Sequence, residues 1–287
     1  MRYFTVVAEH GHFGRAAAAL HVAQPSLSRQ IQRLEEQLGV RLLDRTPRGA
    51  RLTEAGAVFL REAELLLRGA TQAAALTRAA AGGEVLTVGY TGNLLITRVV
   101  RALREAHPAA DIRPLHLEWD ETYEALVSHR VDVLVCRMPL RTDGLELTVL
   151  FEEPRVLVVP LTHRLAEHTA VTLDDIADEP LPRFADEAFN AYWRVDPRPD
   201  GRPAPDGPEV AAVEDKFELV AAEQAVCIAP ASVARGLRPD LTTVPIDGID
   251  PVAVVVASRG DDRRALIGAF REVALHRMND ATAPFGA

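Results

Sequence analysis

The 287-residue sequence has only two cysteines, Cys136 and Cys227, and both lie inside apolar runs typical of buried strands. We therefore predict two buried free thiols rather than a disulfide, a metal site or a redox switch. The nine histidines show no metal-ligand spacing, and the sequence has no glycine-rich phosphate loop, no Ser-His-Asp order and no paired carboxylates in an apolar setting. These absences argue against an enzyme, a metal site and a bound cofactor.

Long hydrophobic runs are absent too. No stretch approaches the ~20 apolar residues that a membrane-spanning helix needs. The N-terminus also lacks the basic segment and apolar core of a secretory signal. We therefore expect a cytoplasmic protein with no membrane partner. A chain of this length with 48% hydrophobic residues can form about two domains.

Lysine is nearly absent, since Lys216 stands alone beside 31 arginines, and we attribute this bias to genomic composition. The charges are also unevenly distributed. Residues 1–53 carry eight arginines and four acidic residues, a net charge of +4, whereas the remainder carries 24 basic and 37 acidic residues, a net charge of −13. A basic end on an acidic body is expected of a protein that contacts nucleic acid with one end only.

Residues 14–38 predict two helices joined by a tight turn. An alanine-rich helix stops at His21, and a second helix opens near Pro25, where a missing N–H costs nothing. Apolar residues recur in the second helix at spacings of four and three and predict a buried stripe: Leu27, Ile31, Leu34 and Leu38. The residues off this stripe suit base edges and phosphates: Gln24, Pro25, Ser26, Ser28, Arg29, Gln30 and Arg33.

A basic turn follows this second helix. Arg45, Arg48 and Arg51 surround a Pro/Gly turn that is flanked by leucines, which predicts a hairpin suited to the minor groove or the DNA backbone. The alternative for the second helix is an ordinary amphipathic surface helix. The short first helix, the tight turn and the basic hairpin favour a winged helix-turn-helix that binds double-stranded DNA.

A long helix is predicted next, capped by Thr53 and running to about Ala80. Five of its residues follow a four-three spacing that predicts a seam between two copies of the helix: Phe59, Ala63, Leu66, Ala70 and Ala73. The alternative is that the helix lies on its own domain. Gly82-Gly83 ends the helix and supplies a hinge.

From Glu84 onwards, short apolar runs alternate with helical segments, which predicts α/β units with parallel strands covered on both faces. A second such unit begins after Pro160. Between its elements, the segment Asp196–Pro208 is rich in proline, glycine and aspartate and is predicted to be an exposed loop.

The chain resembles the LysR-type transcriptional regulators over essentially its whole length. The N-terminal part of the resemblance rests on Ala-Ala-Leu-His-Val-Ala-Gln-Pro-Ser-Leu-Ser-Arg-Gln-Ile, Leu-Gly-Val-Arg-Leu-Leu-Asp-Arg-Thr and Leu-Thr-Glu-Ala-Gly. The C-terminal part rests on shorter matches at residues 107–108, 219–222 and 229–232. The chain departs from the family at Glu223-Gln224-Ala225, where a glycine pair is common, so a left-handed helix end must be formed there by non-glycine residues.

The resemblance implies an α/β fold class with an N-terminal winged helix-turn-helix domain. That domain would span residues 1–57, a linker (dimerisation) helix and hinge residues 58–83, and an effector-binding domain residues 84–280. This last domain would resemble periplasmic binding proteins, with lobe 1 at about 84–159 plus 261–280 and lobe 2 at about 160–260.

The resemblance also implies partners. Such bacterial proteins form homodimers and homotetramers through the linker helix and the effector domain, and they recruit or block RNA polymerase in response to a small metabolite. The alternative is a two-lobed solute-binding protein or enzyme that has the same body fold and no transcriptional role.

Ligands of open α/β sheets bind beyond the carboxyl ends of the strands. In lobe 1 this places Thr91, Gly92, Asn93, Trp119 and Arg137 at a candidate effector site. Asn93 either holds a carboxylate or caps a helix. Trp119 either stacks on a ligand or covers the sheet edge, and Arg137 pairs either with a ligand carboxylate or with a protein acid.

Lobe 2 contributes Phe184, Asn190, Tyr192 and Pro230 to the same candidate site. These positions, and Arg137-Met138, resemble the branch of the family that senses intermediates of aromatic degradation. The resemblance therefore implies an organic acid or an aromatic acid as the effector.

Overall fold

The structure is a computed structural model that describes residues 1–46, 49–80, 84–210 and 215–279. The chain divides into two units, which we describe separately: one comprises residues 1–83 with 127–129, and the other comprises the rest of the chain from residue 84. The predicted hinge at Gly82-Gly83 and the wing residue Arg48 lie outside the described residues, as does the side chain of Arg45.

Three short helices open the first unit: α1 (Arg2–His10), α2 (Phe13–Ala19) and α3 (Gln24–Leu38). His12 caps α2, because its Nδ1 accepts a hydrogen bond from the backbone N–H of Gly14 at 3.0 Å. Leu27 and Ile31 of α3 are buried, as predicted. The prediction is wrong for Leu38, which is 42% exposed because it is the last residue of the helix.

A hairpin follows, formed by β1 (Leu43–Thr46) and the antiparallel β2 (Gly49–Leu52). Glu35 of α3 holds the start of this hairpin, since its Oε1 accepts hydrogen bonds from the backbone N–H groups of Leu42 (2.7 Å) and Leu43 (3.0 Å). The predicted long helix is α4 (Glu54–Ala80), and Thr53 caps it by accepting from the N–H of Gly56 at 2.9 Å.

The predicted seam of α4 divides into two parts. Phe59 packs edge-on against Phe4 of α1, with ring centroids 5.3 Å apart, and Ala63 is fully buried. Leu66 is 58% exposed, and Ala70 and Ala73 are exposed too. The prediction of an intersubunit seam is therefore wrong for the first part, which completes the core of this unit, and only the later part is exposed in a single chain.

Two glycines of α4 predict opposite effects of the same substitution. A Cβ on Gly56 would overlap the carbonyl oxygen of Leu42, whereas a Cβ on Gly69 would meet nothing within 4 Å. We expect Gly56→Ala to lower the free energy of unfolding by about 1–3 kcal/mol. Gly69→Ala should raise it by about 0.5–1 kcal/mol, because alanine is the better helix former. Chemical denaturation measures both, and shifts of the same sign would contradict this packing.

The second unit alternates strands and helices. Its elements follow in this order: β3 (Val85–Thr91), α5 (Thr97–Ala106), β4 (Asp111–Leu117), a 3-10 helix (Trp119–Glu121), α6 (Thr122–Val127), β5 (Val133–Arg137), β6 (Leu145–Glu153), β7 (Arg155–Pro160), β8 (Leu181–Arg183), α7 (Glu187–Arg194), β9 (Asp206–Glu209), α8 (Asp215–Ala221), β10 (Cys227–Pro230), a second 3-10 helix (Ala231–Gly236), β11 (Leu241–Pro245), β12 (Val252–Arg259) and α9 (Ala265–Asn279).

Two main sheets form the two lobes of this unit. Lobe 1 contains the order β4-β3-β5-β12-β6, in which β3 is parallel to β4 and β5 while β12 is antiparallel to β5 and β6. Lobe 2 contains β10-β7-β11, with β7 antiparallel to both neighbours, and the short parallel pair β8-β9. The prediction of parallel strands therefore holds for β3, β4 and β5 and is wrong for the antiparallel strands.

The bounds that we predicted for the lobes are wrong at two strands. β7, assigned to lobe 1, lies in the sheet of lobe 2, and β12, assigned to lobe 2, lies in the sheet of lobe 1. The chain thus crosses between the lobes twice, after β6 and before β12. Both strands are apolar and buried almost throughout, and an apolar run does not reveal which sheet it joins.

Most residues of the segment 196–208 are exposed, as predicted, but Arg198 and Ala204 are buried and β9 begins at Asp206. Arg194 of α7 donates hydrogen bonds to the carbonyl oxygens of Ala204 (2.9 Å) and Pro205 (3.1 Å), and Ala204 is buried.

Shortly after α8, Glu223 has φ of 56°, so a non-glycine residue does form the left-handed helix end.

Both cysteines are buried and unpaired with each other, as predicted. Burial raises the pKa of Cys136 to about 12 and that of Cys227 to about 11, because a thiolate is poorly solvated there. In the described parts of the chain, no group of acidic, histidine or cysteine side chains is arranged to hold a metal ion. None of the helices in those parts has both the length and the hydrophobicity that a bilayer crossing requires.

Candidate DNA interface and effector site

The polar face of α3 is accessible in the first unit. Six of the seven residues that we assigned to DNA contact are exposed, and Ser28 is half-buried. Arg29 and Arg33 lie one helical turn apart, and Arg29 is held along the helix because its Nε donates to the carbonyl oxygen of Pro25 at 3.4 Å. Arg51 on β2 is also exposed. These side chains can therefore reach a duplex without rearrangement of the unit.

A cavity of about 110 Å³ lies in the second unit at the carboxyl ends of β3, β4 and β5, where lobe 2 faces lobe 1. We call it the interlobe cavity. It lies where ligands of open α/β sheets bind. Five of the nine predicted effector residues line it: Thr91, Gly92, Trp119, Arg137 and Pro230.

The other four predicted residues lie beside or behind the cavity wall. Asn93 does not cap α5, because that helix begins after Ile96. Asn190 is engaged with the backbone of Phe184, whose N–H donates to the asparagine Oδ1 at 2.8 Å. Phe184 supports Trp119 from behind at 5.7 Å, and the Tyr192 ring is covered by the guanidinium of Arg155 at 5.0 Å.

Arg137 takes part in a hydrogen-bond network between the lobes. Its Nε donates to Glu153 Oε2 at 2.9 Å, and the two side chains are only 10% and 9% exposed. Its Nη2 donates to Asn93 Oδ1 at 3.0 Å and to Ser232 Oγ at 2.9 Å. Asn93 and Glu153 also bind the backbone of Ser232. The structural salt bridge that we considered for Arg137 is therefore present, but Nη1 bonds to none of the described residues.

An aromatic wall of the interlobe cavity was missed by the sequence analysis. Phe189 stacks on Trp119 with ring centroids 4.1 Å apart, and Trp193 lies 6.1 Å from Phe189. All three rings line the cavity. The signal was present in α7, which carries two further aromatic residues close to the predicted Tyr192. The rotation of about 100° per helical residue directs Trp193 rather than Tyr192 to the cavity.

Lys216 was missed by the sequence analysis as well. We attributed the bias towards arginine to genomic composition and gave the single lysine no role. Lys216 lies in the first turn of α8, is 8% exposed, and lines the interlobe cavity. Its Nζ lies 6.0 Å from the centroid of the Trp193 ring. The cavity thus contains two cationic side chains, Lys216 and Arg137, and one carboxylate, Glu118. Other lining residues that were not predicted are His116, Leu117, Thr122, Cys136, Met138 and Pro139.

Comparison with known proteins covers both units. Residues 1–57 match the family described as bacterial regulatory helix-turn-helix protein, lysR family, and residues 80–279 match the LysR substrate binding domain. A probable cat1 operon transcriptional activator of Acinetobacter lwoffii is 34% identical over 287 residues, which is 95% of this chain and 93% of the relative. Relatives of this kind are named as transcriptional regulators and not as enzymes.

Solved structures agree with these matches. The crystal structure of CbnR, a LysR family transcriptional regulator, has a TM-score of 0.63 and 28% sequence identity, with 96% of each chain covered. Full-length CbnR complexed with its target DNA has a TM-score of 0.53 and 30% identity, again with 96% of each chain covered. The chain therefore belongs to the LysR family and is a DNA-binding transcriptional regulator with an effector-binding domain.

Proposed function

We propose that this regulator is controlled by a small aromatic carboxylic acid that binds in the interlobe cavity. The observation that carries the proposal is the combination of an aromatic wall with two cations in one cavity. Trp119 comes from lobe 1, whereas Phe189, Trp193 and Lys216 come from lobe 2. A ligand that contacts all of them would contact both lobes.

The aromatic wall favours a planar ligand. Trp119 and Phe189 stack with ring centroids 4.1 Å apart, and together with Trp193 they give the cavity a largely aromatic surface. A flat ring buries most area against such a surface and gains offset stacking. Met138, on the same cavity, adds a polarizable thioether that adapts to ring edges.

The charges favour an acid. Lys216 is almost fully buried, and burial strengthens its interaction with an anion because water screens the pair less. Arg137 offers the Nη1 that its network leaves without a bond to the described residues. Glu118 disfavours a second negative charge in the same cavity. A monocarboxylate therefore suits the cavity better than a dianion.

The network around Ser232 gives the ligand a means of control. Ser232 belongs to lobe 2 and is held by Asn93, Arg137 and Glu153 of lobe 1. A ligand that changes the position of Arg137 changes how firmly the lobes are held together. Such a ligand shifts the balance of conformations by its difference in affinity for them.

For the DNA-binding domain, we propose the residue roles that were assigned from the sequence. In this proposal α3 enters the major groove with Gln24, Arg29 and Gln30 at base edges, and Arg33 and the wing arginines contact phosphates. Two copies pair through the exposed later part of α4 and assemble further into a homotetramer through the effector domain. The assembly acts on RNA polymerase in the cytoplasm. In this proposal residues 1–57 bind DNA, residues 58–83 form the linker (dimerisation) helix and hinge, and residues 84–280 bind the effector.

Intrinsic fluorescence tests the effector proposal directly, because the chain has only two tryptophans and both line the interlobe cavity. Benzoate and its monohydroxylated derivatives should change the emission of the full-length protein saturably. Lys216→Met should weaken the binding by roughly 10- to 100-fold, since it removes a charged partner. Arg263→Met, at an 80% exposed position, is the matched control and should leave it unchanged. Binding of neutral benzamide as tight as that of benzoate would contradict the proposal.

A further inference from the structure

Positive and negative side chains alternate from the last residue of α7 into the segment that follows it: Arg194, Asp196, Arg198, Asp200 and Arg202. The two outer arginines are paired with the two aspartates. Arg194 Nη1 lies 3.4 Å from Asp196 Oδ2, and the Asp200 carboxylate accepts hydrogen bonds from the backbone N–H (2.9 Å) and the Nε (2.5 Å) of Arg202. Arg194 also donates to Asp206 Oδ1 at 2.6 Å. Asp196 and Asp200 act on the central arginine, Arg198, electrostatically, but neither accepts a hydrogen bond from its guanidinium.

The guanidinium of Arg198 is buried without a partner. The residue is 7% exposed, and neither Nε nor Nη1 nor Nη2 has a hydrogen-bond partner in the part of the chain that the structure describes. Burial lowers the pKa of Arg198, yet an arginine side chain stays charged in proteins. Buried polar groups in native proteins nearly always have partners, and a buried unpaired charge is strongly unfavourable. A guanidinium in this setting favours the binding of an anion.

Arg198 lines a surface cavity of about 410 Å³ in lobe 2. We call it the lobe 2 cavity. Its other walls include Thr172, Pro203 and Gly248, and it shares no lining residue with the interlobe cavity. One side is the turn 198–202, which is closed by hydrogen bonds of 2.8 Å from the N–H of Arg198 to the carbonyl of Arg202 and from the N–H of Gly201 to the carbonyl of Arg198.

The charges around this cavity define the ligand class. Asp174, Asp200 and Asp247 also line it, together with Arg202, which pairs with the first two. The three carboxylates disfavour a dianion such as phosphate or sulfate. The planar fork of a guanidinium matches the two oxygens of a single carboxylate. We propose that the lobe 2 cavity is a second ligand site, separate from the interlobe cavity, that binds a small monocarboxylate through Arg198. Because the guanidinium nitrogens are buried, the turn 198–202 moves as the carboxylate enters.

Acetate is the probe for this site. The thermal unfolding midpoint of the full-length protein is measured at rising acetate concentration, with sodium chloride replaced to hold the ionic strength constant. The midpoint of the wild type should rise saturably, because a ligand that binds only the folded state stabilises it. Arg198→Met should abolish the rise, and Arg198→Lys, which keeps the charge and loses the fork, should weaken it several-fold. Arg263→Met and Lys216→Met should both keep the rise.

Arg198→Met also has an expected effect without acetate. Its midpoint should equal or exceed that of the wild type, because the variant removes a buried charge that has no partner. A protein that fails to fold with this substitution would overturn the inference, since Arg198 would then have a structural partner. A rise that survives Arg198→Met would overturn it as well, and so would a larger rise with phosphate than with acetate. Loss of the rise in Lys216→Met instead would assign the acetate to the interlobe cavity.

Discussion

Replacing Arg29 with alanine should change which operator the protein prefers, with a loss of roughly 1–3 kcal/mol of discrimination at one base pair. The reason is geometric, because Arg29 is exposed on α3 and its guanidinium fork matches the major-groove edge of guanine. Gln24→Ala should have a comparable effect at a position occupied by adenine. Competition binding against operator variants that differ at single base pairs measures both effects.

Arg33→Ala is the matched control, since it removes the same type of side chain from the same helix one turn further on. If Arg33 contacts a phosphate, this variant weakens binding to all sequences alike and reduces the salt slope by about one. Arg48→Ala on the wing should behave in the same way. Exchange of the two patterns, with Arg33 altering base preference and Arg29 altering only affinity, would show that α3 is rotated relative to the orientation that we propose.

Arg137→Met should reduce the stability of the effector-binding domain by about 3–5 kcal/mol. The substitution leaves Glu153, which is only 9% exposed, as a buried carboxylate without its cationic partner. It also removes the hydrogen bonds that Arg137 donates to Asn93 and to Ser232. The thermal unfolding midpoint of the full-length protein should therefore fall clearly.

The double variant Arg137→Met/Glu153→Gln separates the two roles of Arg137. A neutral glutamine no longer leaves a charge unpaired, and its oxygen still accepts from the N–H of Ser232. We expect the double variant to be more stable than the single one. An unfolding midpoint of Arg137→Met within about 1 °C of the wild type would contradict a buried Arg137–Glu153 ion pair. Losing about 3–5 kcal/mol of stability moves the midpoint of a domain of this length by several degrees.

The local parts of the fold could be predicted from the sequence because short-range rules determine them. The cap at Thr53, the turn before Pro25 and the buried positions Leu27 and Ile31 all follow from spacing within a few residues. The left-handed conformation of Glu223 followed from a missing glycine. The strand ends of lobe 1 also placed Thr91, Trp119 and Arg137 correctly at one edge of a sheet.

The remaining errors concern contacts between segments that are distant in sequence. Phe59 and Ala63 fit an intersubunit seam by spacing, but the nearby α1 covers them within the same unit. Lys216 has no signature as a residue of a cavity, because α8 belongs to lobe 2 and reaches the cavity that β5 and Trp119 line only after the chain has crossed from lobe 1 to lobe 2. Arg198 is inconspicuous in a polar segment, and only the pairing of its neighbours reveals its unpaired charge.

One end of the chain binds DNA, and in our proposal a ligand between the lobes alters this binding. A mobility-shift titration on the DNA upstream of the gene itself, with and without an aromatic acid that binds by fluorescence, tests it directly. We expect retardation that weakens steeply with salt, and a ligand-dependent change in affinity or mobility that Lys216→Met abolishes. No retardation even at low salt, or a ligand effect that is unchanged in Lys216→Met, would contradict this account.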